Sequence, residues 1–298
     1  MKILITGSSG LIGSKLIKSL ESKDYEVIRL VRFKKQCHGK NIRYWQPKLN
    51  QLSQEALNGI DTVIHLAGER IDSRWSKEKK ALIENSRVQS TKLLCNTMLS
   101  MKNPPKNFLS ASAVGYYGDR GEEVLDENSK SGNTFLAQVC QDWEKAALPA
   151  VEKGIRVVNM RFGIVLSLEG GALARMIPPM RRYLGGIIGN GKQYISWISI
   201  VDVVKAIHHV IFYNEISGPV NIVSPQPVTN KYFTELLGKI LHRPTLVTVP
   251  KIAIKTILGE MGKELLLTSA RMEPSILKKR NFEFQHPDLE SALRYLLN

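Results

Sequence analysis

Short apolar runs alternate with longer stretches of mixed apolar and polar residues along the first half of this chain. The apolar runs are rich in β-branched and aliphatic side chains, which is typical of buried strands. We predict strands at residues 2–6, 26–31, 61–67, 107–112 and 156–162. The mixed stretches predict helices at residues 14–20, 77–98 and 134–152. Strands that alternate with helices indicate a parallel sheet with helices on both faces, so we predict an α/β fold, a Rossmann-type doubly wound sheet.

A glycine-rich turn joins the first predicted strand to the first predicted helix. Such a turn lets the backbone approach a pyrophosphate closely, and the following helix N-terminus presents free N–H groups and a positive dipole end. The alternative is a tight turn that binds nothing. We predict a dinucleotide site at this turn, formed by Gly7, Ser8, Ser9, Gly10, Leu11, Ile12 and Gly13.

The formal net charge of +15 raises the question of an anionic partner. Seven basic residues and no acidic residue lie between Val27 and Gln54. Among them is Arg32, directly after the second predicted strand, where an NAD-selective site normally carries Asp or Glu. Charge-assisted hydrogen bonds from Arg32 to a 2′-phosphate, worth about 1.5–3 kcal/mol, predict a roughly tenfold to hundredfold preference for NADP(H). A solvated basic loop is the alternative.

Other partners are not expected from the sequence. The basic residues are spread along the chain without a nucleic-acid-binding motif, so we predict no nucleic-acid partner. No apolar run approaches the length of a membrane span, so we predict no membrane partner. The first strand leaves no room for a signal peptide, which favours a cytoplasmic location. Cys37, Cys95 and Cys140 lack metal-ligand spacing, and we expect reduced thiols and no metal site.

Several segments should meet at one edge of the predicted sheet. In open α/β sheets, ligands bind beyond the carboxyl ends of the strands. Residues 7–13, 66–69, 110–117 and 161–165 all follow such ends and should line one crevice. The further cofactor-binding candidates are Leu66, Ala67, Gly68, Glu69, Arg87, Ser110, Arg161, Phe162 and Gly163.

Several motifs point to one superfamily. The segments TGSSGLIG, HLAGE, SASAVGYYG, RFGIVLS and WISIVD occur in the order found in extended short-chain dehydrogenases/reductases, which the chain resembles. The segments LAGERIDSRW, NSRVQST, FLAQVCQDWE and EPSILKKRNFEFQHPDLESAL are similar to an atypical branch of it. That branch is described as nucleoside-diphosphate-sugar epimerase-like or cell-division-inhibitor-like, with an uncharacterised C-terminal domain. The resemblance covers essentially the whole chain and implies an NADP-binding fold.

The resemblance also implies a catalytic Tyr-x-x-x-Lys pair, which this sequence lacks at the expected place. Glu144 matches a glutamate that commonly follows the lysine by four residues, which places Cys140 at the lysine position and Leu136 at the tyrosine position. Arg87 stands where related enzymes carry an asparagine that helps to order the active-site water. General acid-base catalysis contributes roughly a hundredfold to ten-thousandfold, so another group would have to replace the tyrosine.

Three residues are candidates for catalysis. Ser112 matches the superfamily's catalytic serine, although a hydroxyl bonded to backbone is an equal alternative. Tyr116 and Tyr117 are the nearest phenols that could donate a proton, with packing of their rings as the alternative. We interpret His65 as a core histidine and Asp202 as the N-cap of a helix rather than a catalytic acid.

The predicted organisation has two parts. Residues 1–165 and 199–222 form the NADP-binding domain, and residues 166–198 and 223–298 form a smaller, mainly helical substrate-side domain. Basic residues in this second part either pair with a phosphate or carboxylate of a substrate or form a solvated surface; they are Arg175, Arg181, Arg182 and Lys192.

Two functions remain open from the sequence. One is an oxidoreductase or nucleotide-sugar epimerase that uses NADP(H) and a small-molecule substrate, phosphorylated or a nucleotide sugar. The other is a non-catalytic binding or regulatory protein that responds to NADP(H).

Overall fold

The computed structural model describes residues 1–37 and 39–297. Its strands, numbered in chain order, are β1 (Lys2–Thr6), β2 (Glu26–Val31), β3 (Ile42–Tyr44), β4 (Thr62–His65), β5 (Asn107–Ala113), β6 (Val124–Leu125), β7 (Arg156–Phe162), β8 (Ile164–Leu166), β9 (Gly186–Ile188), β10 (Tyr194–Ile195), β11 (Trp197–Ser199), β12 (Gly218–Ile222), β13 (Val228–Thr229), β14 (Val247–Val249) and β15 (Arg271–Met272). Its helices are α1 (Leu11–Glu21), α2 (Lys77–Ser100), α3 (Phe135–Ala147), α4 (Pro149–Glu152), α5 (Gly171–Arg181), α6 (Ile200–Phe212), α7 (Asn230–Leu241), α8 (Lys251–Gly262), α9 (Ser275–Lys279) and α10 (Leu289–Leu297).

A parallel sheet forms the centre of the described part of the chain. Its seven strands lie in the order β12-β7-β5-β4-β1-β2-β3, and neighbouring strands run parallel throughout. The direction of winding reverses between β1 and β4, which is where a crevice opens beyond the carboxyl ends of the strands. The prediction of a doubly wound Rossmann-type sheet is confirmed.

Both faces of the sheet are buried, as the continuous apolar strands predict. Successive side chains of a strand point to opposite faces. Thus Ile3 and Ile5 of β1 join the apolar cluster that contains Leu16 of α1, whereas Leu4 joins the cluster that contains Leu94 of α2. Helices on both sides therefore hold the carboxyl edge of the sheet in place.

The elements differ from the prediction in several places: β4 is shorter than predicted, α2 is two residues longer, and β12 was not predicted. The strand β3 was not predicted, because its three residues are too few to show a period. The predicted helix at 134–152 is divided at Leu148, since Pro149 lacks the N–H that would continue the helical bonding. Helix α1 begins at Leu11, inside the glycine turn, rather than at Ser14.

The elements after the sheet form further apolar clusters. Helices α5, α7 and α10 contribute Leu173, Phe233 and Leu293 to one of them. The predicted division into two domains stays a prediction. Among residues 1–37 and 39–297, no helix is both long enough and apolar enough to cross a membrane.

Candidate functional site

The glycine turn after β1 packs tightly against its own backbone and against the backbone of the loop that follows β4. Gly7 has a φ of +69°, and a Cβ added there would lie 2.7 Å from the carbonyl carbon and oxygen of Leu66. A Cβ on Gly13 would collide with the Gly7 carbonyl oxygen. The Gly10 N–H donates to that oxygen at 3.0 Å. Packing against protein backbone therefore excludes side chains at Gly7 and Gly13, and the exposed Gly10 leaves the outer side of the turn without a side chain.

The first turn of α1 is suited to an anion. Its N-cap residue is Gly10, which supplies no side-chain cap, and no acidic residue lies in the first turn. The first N–H groups of a helix need an acceptor, and the helix dipole favours a negative one. Leu11 and Ile12, which start the helix, are partly buried, and Ser9 is exposed.

His65 holds the neighbouring loop against this turn from inside the core. It is fully buried, its Nδ1 is 2.6 Å from Thr6 Oγ1, and its Nε2 is 3.0 Å from Ser90 Oγ. Thr6 Oγ1 also accepts the N–H groups of Leu66 and Ala67, each at 3.2 Å, so its proton points to Nδ1 and the ring proton lies on Nε2. Burial lowers the pKa of His65 to about 3, with a smaller effect of the Arg87 charge. The interpretation of His65 as a core histidine is confirmed.

Charged side chains surround the loop that follows β4. Lys79 lies 2.6 Å from the Glu69 carboxylate. This hydrogen bond is the main reason that the pKa of Glu69 is lowered, and the charges of Arg32 and Arg87 act in the same direction. Arg32 itself is exposed after β2. Three predicted cofactor-binding residues, Arg32, Glu69 and Arg87, therefore lie close enough for the two arginine charges to affect the pKa of Glu69.

Arg87 lies against Gly68 on the same loop. A Cβ on Gly68 would lie 3.3 Å from the Arg87 Cζ, and the guanidinium lies 5.2 Å from the centroid of the Trp143 ring. Its Nη1 donates to the Ile83 carbonyl at 3.0 Å. Burial lowers the pKa of Arg87, against the opposing effect of the Cys140 and Glu69 charges.

Leu136 and Cys140, which stand where the catalytic tyrosine and lysine are expected, lie next to the turn after β5. A Cβ on Gly115 would lie 3.1 Å from Leu136 Cβ and 3.7 Å from Cys140 Sγ. Cys140 is buried, and its Sγ lies 3.9 Å from the Ala113 carbonyl oxygen. Burial raises the pKa of the Cys140 thiol to about 11. At neutral pH neither position therefore offers a group that exchanges protons.

A buried ion pair lies behind this turn. Arg161 donates to both carboxylate oxygens of Glu144, each at 2.8 Å, and only 3% of its side chain is exposed. The Ser112 hydroxyl donates to the same carboxylate at 2.6 Å. Burial acts to lower the pKa of Arg161, but the hydrogen bonds and charge of Glu144 outweigh it and hold that pKa above its usual value. The Arg161 side chain and the Ser112 proton are thus both engaged inside the protein.

Tyr117 is part of the same network, and the structure does not favour its predicted catalytic role. Its ring is fully buried. Its hydroxyl donates to Asn221 Oδ1 at 2.7 Å and accepts from Arg161 Nη1 at 2.9 Å. Burial raises the pKa of Tyr117 to about 12. A phenol that is enclosed and bonded in this way cannot reach a substrate, so the packing alternative applies to Tyr117.

Tyr116 differs from its neighbour. It is half-buried, and its ring lies flat on the guanidinium of Arg161, with 3.5 Å between the Arg161 Cζ and the ring centroid. Within the described part of the chain its hydroxyl has no hydrogen-bond partner. Of the three catalytic candidates, Tyr116 is therefore the one whose polar group is available.

The other predicted cofactor-binding residues are buried beside these. Ser110 and Phe162 lie in strands β5 and β7. A Cβ on Gly163 would lie 2.6 Å from the Ser196 carbonyl oxygen, so that position too excludes a side chain. Arg175, one of the basic residues predicted either to pair with a substrate anion or to lie on a solvated surface, forms an ion pair with Asp72 at 2.6 Å.

The prediction that Asp202 is an N-cap is wrong. Ser199 is the N-cap of α6, and its Oγ accepts the Asp202 N–H at 3.0 Å. The Asp202 carboxylate instead accepts the N–H groups of Gln285 and His286, at 2.7 Å and 2.9 Å. The helix start has a serine three residues before an acid, which is the sequence signal for a capping box.

A group near the site that the sequence did not reveal is the carboxylate of Glu264. It accepts the backbone N–H groups of Phe135 and Leu136, each at 2.9 Å. Glu260 pairs nearby with Lys80 at 2.8 Å, and the Lys80 Nζ lies 4.3 Å from the Phe135 ring centroid. No local pattern connects Glu264 with α3, because the two are separated by 128 residues.

The parallel sheet, the glycine turn at its switch point and the turn after β5 define the class of extended short-chain dehydrogenase/reductase folds. The model of the NAD dependent epimerase/dehydratase family matches residues 3–222, and a domain of unknown function, DUF1731, matches residues 249–296. The chain belongs to this epimerase/dehydratase family.

Similar proteins have been named in several organisms. The chain is 40% identical over 294 residues to an epimerase family protein of Mycobacterium leprae, covering 98% of this chain and 94% of that one. The crystal structure of the human epimerase family protein SDR39U1 (isoform 2) with NADPH superposes with a TM-score of 0.89 at 28% identity, covering 99% of both chains. A nucleoside-diphosphate sugar epimerase from Corynebacterium glutamicum gives a TM-score of 0.81 at 36% identity, covering 100% of this chain and 58% of that one.

Proposed function

We propose that this protein binds NADP(H) with its pyrophosphate on the glycine turn and its 2′-phosphate near Arg32. The observation that carries the proposal is the closed backbone of the turn, where a side chain at Gly7 or Gly13 would collide with main-chain atoms. The human relative solved with NADPH supports the choice of cofactor.

The residues present fit this cofactor. The first turn of α1 carries no acid and no side-chain cap, so its N–H groups suit the pyrophosphate. Arg32 is exposed and follows β2, where it can reach a 2′-phosphate. Arg87, half-buried beside Gly68, adds positive charge at the crevice. The loop 66–69 and the segment 161–163 complete the proposed site through their backbone.

Calorimetric titration tests the cofactor preference. We expect NADPH to bind roughly tenfold to a hundredfold more tightly than NADH, and Arg32→Ala to remove most of the difference. Arg29→Ala is the matched control, because Arg29 is a nearby cation within β2 whose guanidinium already pairs with Glu21 at 3.1 Å. Equal affinities of the unmodified protein for NADPH and NADH would overturn the proposed role of Arg32.

We further propose an oxidoreductase or nucleotide-sugar epimerase reaction in which Tyr116 is the proton donor. In a reduction, bound NADPH would supply a hydride to a carbonyl carbon while the Tyr116 hydroxyl gives its proton to the oxygen; in an epimerisation, the oxidised cofactor would first take a hydride from the sugar and then return it, with no net change in the cofactor. Tyr116 is the candidate phenol that is held by stacking yet free at its hydroxyl, whereas Leu136 has no ionisable group and the Cys140 thiol is buried with its pKa raised to about 11. The 36% identity to a protein named as a nucleoside-diphosphate sugar epimerase supports this substrate class.

Oxidation of NADPH with a panel of carbonyl compounds tests for a reduction, and formation of the epimer from each of a panel of nucleotide sugars tests for an epimerisation, which causes no net oxidation of NADPH. We expect activity in the unmodified protein and its loss in Tyr116→Phe. The double variant Leu136→Tyr/Cys140→Lys should not raise activity, since a lysine at position 140 would face the charge of Arg87, which already reaches the Cys140 thiol. Activity that appears only in the double variant would contradict the proposal and indicate a decayed reductase.

The second candidate function is a non-catalytic protein that responds to NADP(H). It is favoured by the engagement of Ser112 with Glu144 and by the burial of Tyr117, which remove two of the three catalytic candidates. Tight NADPH binding without turnover of any compound in the panel would select this function.

The proposed location is the cytoplasm, in agreement with the free thiols of Cys37, Cys95 and Cys140.

A further inference from the structure

Two segments of the C-terminal half form a basic surface that the proposed NADP(H) site does not use. They are residues 178–192 and 236–259, and they are joined by parallel pairing of β9 with β14, in which Gly186 lies opposite Val247. The Gly189 N–H also donates to the Val249 carbonyl at 2.8 Å. We call the exposed side of these two segments the docking face.

Large apolar side chains protrude from the docking face. The exposed fractions are 90% for Leu246, 77% for Ile252, 68% for Leu184 and 59% for Tyr183. Single exposed apolar residues are common on proteins. Leu184 and Leu246 are not scattered. Leu184 lies two residues before Gly186, and Leu246 lies directly before Val247, the residue that pairs with Gly186. Grouped apolar side chains of this kind mark an interaction surface.

The two segments of the docking face carry basic residues and no acidic ones, and the acids directly beside them, Glu235 and Glu260, are each paired with a lysine outside the segments. The basic residues of the two segments are Arg181, Arg182, Lys192, Lys239, Arg243, Lys251 and Lys255. The cations lie among the apolar side chains, since the Arg243 guanidinium lies 4.9 Å from the centroid of the Tyr183 ring. Arg243 also donates to the Arg181 carbonyl at 3.3 Å.

This combination selects one kind of partner. A second copy of the chain would bring two faces of like charge together, which is repulsive. A nucleic acid would match the charge but would leave Leu184, Leu246 and Ile252 without an apolar environment. An anionic lipid surface suits both the positive charge and the exposed apolar side chains. Its headgroups attract cations, and its interfacial region takes up the ends of apolar side chains. We propose that the docking face binds the surface of anionic membranes.

The proposal concerns binding at the membrane surface and not a span across it. The sequence-based expectation of no membrane partner was drawn from the lack of a spanning segment. Surface binding requires no such segment, since basic residues and a few inserted apolar side chains suffice. The proposal therefore replaces that expectation.

Co-sedimentation with lipid vesicles tests the proposal on the full chain. We expect binding to vesicles of phosphatidylcholine with roughly one-third phosphatidylserine, no binding to phosphatidylcholine alone, and release at high salt. Arg182→Gln/Lys251→Gln/Lys255→Gln should weaken binding about a hundredfold, because each cation near such a surface contributes about fivefold. Leu184→Ser/Leu246→Ser should weaken it at least about tenfold, the effect expected when the two leucine side chains are only partly inserted.

Matched controls separate the docking face from overall charge and hydrophobicity. Lys48→Gln/Lys102→Gln/Lys153→Gln removes three exposed cations elsewhere, and Leu148→Ser/Val151→Ser removes two apolar side chains that are 53% and 52% exposed. Both controls should bind vesicles as the unmodified protein does. Equal loss in the controls, or no binding to the phosphatidylserine vesicles at all, would overturn the proposal. Dimerisation in analytical ultracentrifugation that the docking-face variants abolish would assign the face to a second copy instead and also overturn it.

Discussion

The carboxylate of Glu264 accepts the backbone N–H of Leu136 at 2.9 Å, and so ties the C-terminal region to the start of α3. The second carboxylate oxygen accepts the Phe135 N–H at the same distance. Thr134, the N-cap of α3, satisfies only the Ala137 N–H. A negative charge at a helix N-terminus is also favoured by the helix dipole. Glu264 therefore completes the cap of the helix that packs against Gly115 in the candidate site.

We expect Glu264→Ala to lower the free energy of unfolding by about 1–2 kcal/mol, as loss of a helix cap does. Urea unfolding of the purified protein measures the change. Glu260→Gln is the control, because it weakens only the half-exposed ion pair with Lys80 and should cost less than about 1 kcal/mol. A Glu264→Ala protein as stable as Glu260→Gln would show that the cap contributes little.

Gly7 and Gly59 have the same φ of +69° but different surroundings. A Cβ on Gly59 would have no atom within 4 Å, whereas one on Gly7 would lie 2.7 Å from Leu66 backbone atoms. Alanine at either position costs roughly 1–2 kcal/mol of left-handed backbone strain. We expect Gly7→Ala to abolish NADPH binding and Gly59→Ala to leave it unchanged. The fluorescence of the bound cofactor measures this binding. Unchanged NADPH affinity in Gly7→Ala would contradict the proposed site.

The buried pair of Glu144 and Arg161 should be sensitive to the loss of one partner. Arg161→Met leaves the Glu144 carboxylate buried with only the Ser112 hydroxyl as a donor. We expect the free energy of unfolding to fall by about 3–5 kcal/mol, as for other broken buried pairs. Arg120→Met, which breaks the exposed pair with Glu123, is the control and should change it by less than about 1 kcal/mol. Similar losses in the two variants, measured by urea unfolding, would show that burial of the pair has no effect.

His65 should make the protein less stable in mild acid. Its pKa is about 3 in the folded protein and near 6.5 when unfolded, so the unfolded chain binds the extra proton between these values. The free energy of unfolding therefore does not depend on His65 above about pH 6.5. Below that pH it falls by about 1.4 kcal/mol per pH unit, down to about pH 3. Unfolding in urea at pH 7.5 and pH 5 should show a smaller loss for His65→Asn than for the unmodified protein.

His208 provides a comparison for that experiment. Burial lowers its pKa to about 4, but it is less enclosed than His65. Between pH 7.5 and pH 5, His208→Asn should therefore reduce the pH dependence about as much as His65→Asn does, because both folded pKa values lie below pH 5; the two variants should differ only below about pH 4. An equal pH dependence in the unmodified protein and His65→Asn would contradict the assigned pKa of His65.

Much of the cofactor half of the site is determined by the sequence itself. The turn at Gly7, Gly10 and Gly13 could be predicted because each glycine is needed for a local reason, namely a positive φ or a close approach of backbone atoms. Five of the seven strands of the sheet are continuous apolar runs, so their presence follows from hydrophobic pattern alone. Two strands of the sheet were not predicted: the three-residue β3 is too short to show a period, and β12 contains Gly218, Pro219 and Asn221 among its five residues.

The tertiary structure decided which of the chemically capable side chains are available. Tyr116 and Tyr117 are neighbours in the sequence, but only Tyr117 is enclosed, because Asn221 and Arg161 reach it from strands that are distant in the chain. The cap of α3 by Glu264 likewise joins residues that are far apart in sequence. Local pattern carries no information on such contacts, since they depend on how the chain packs after its strands and helices have formed.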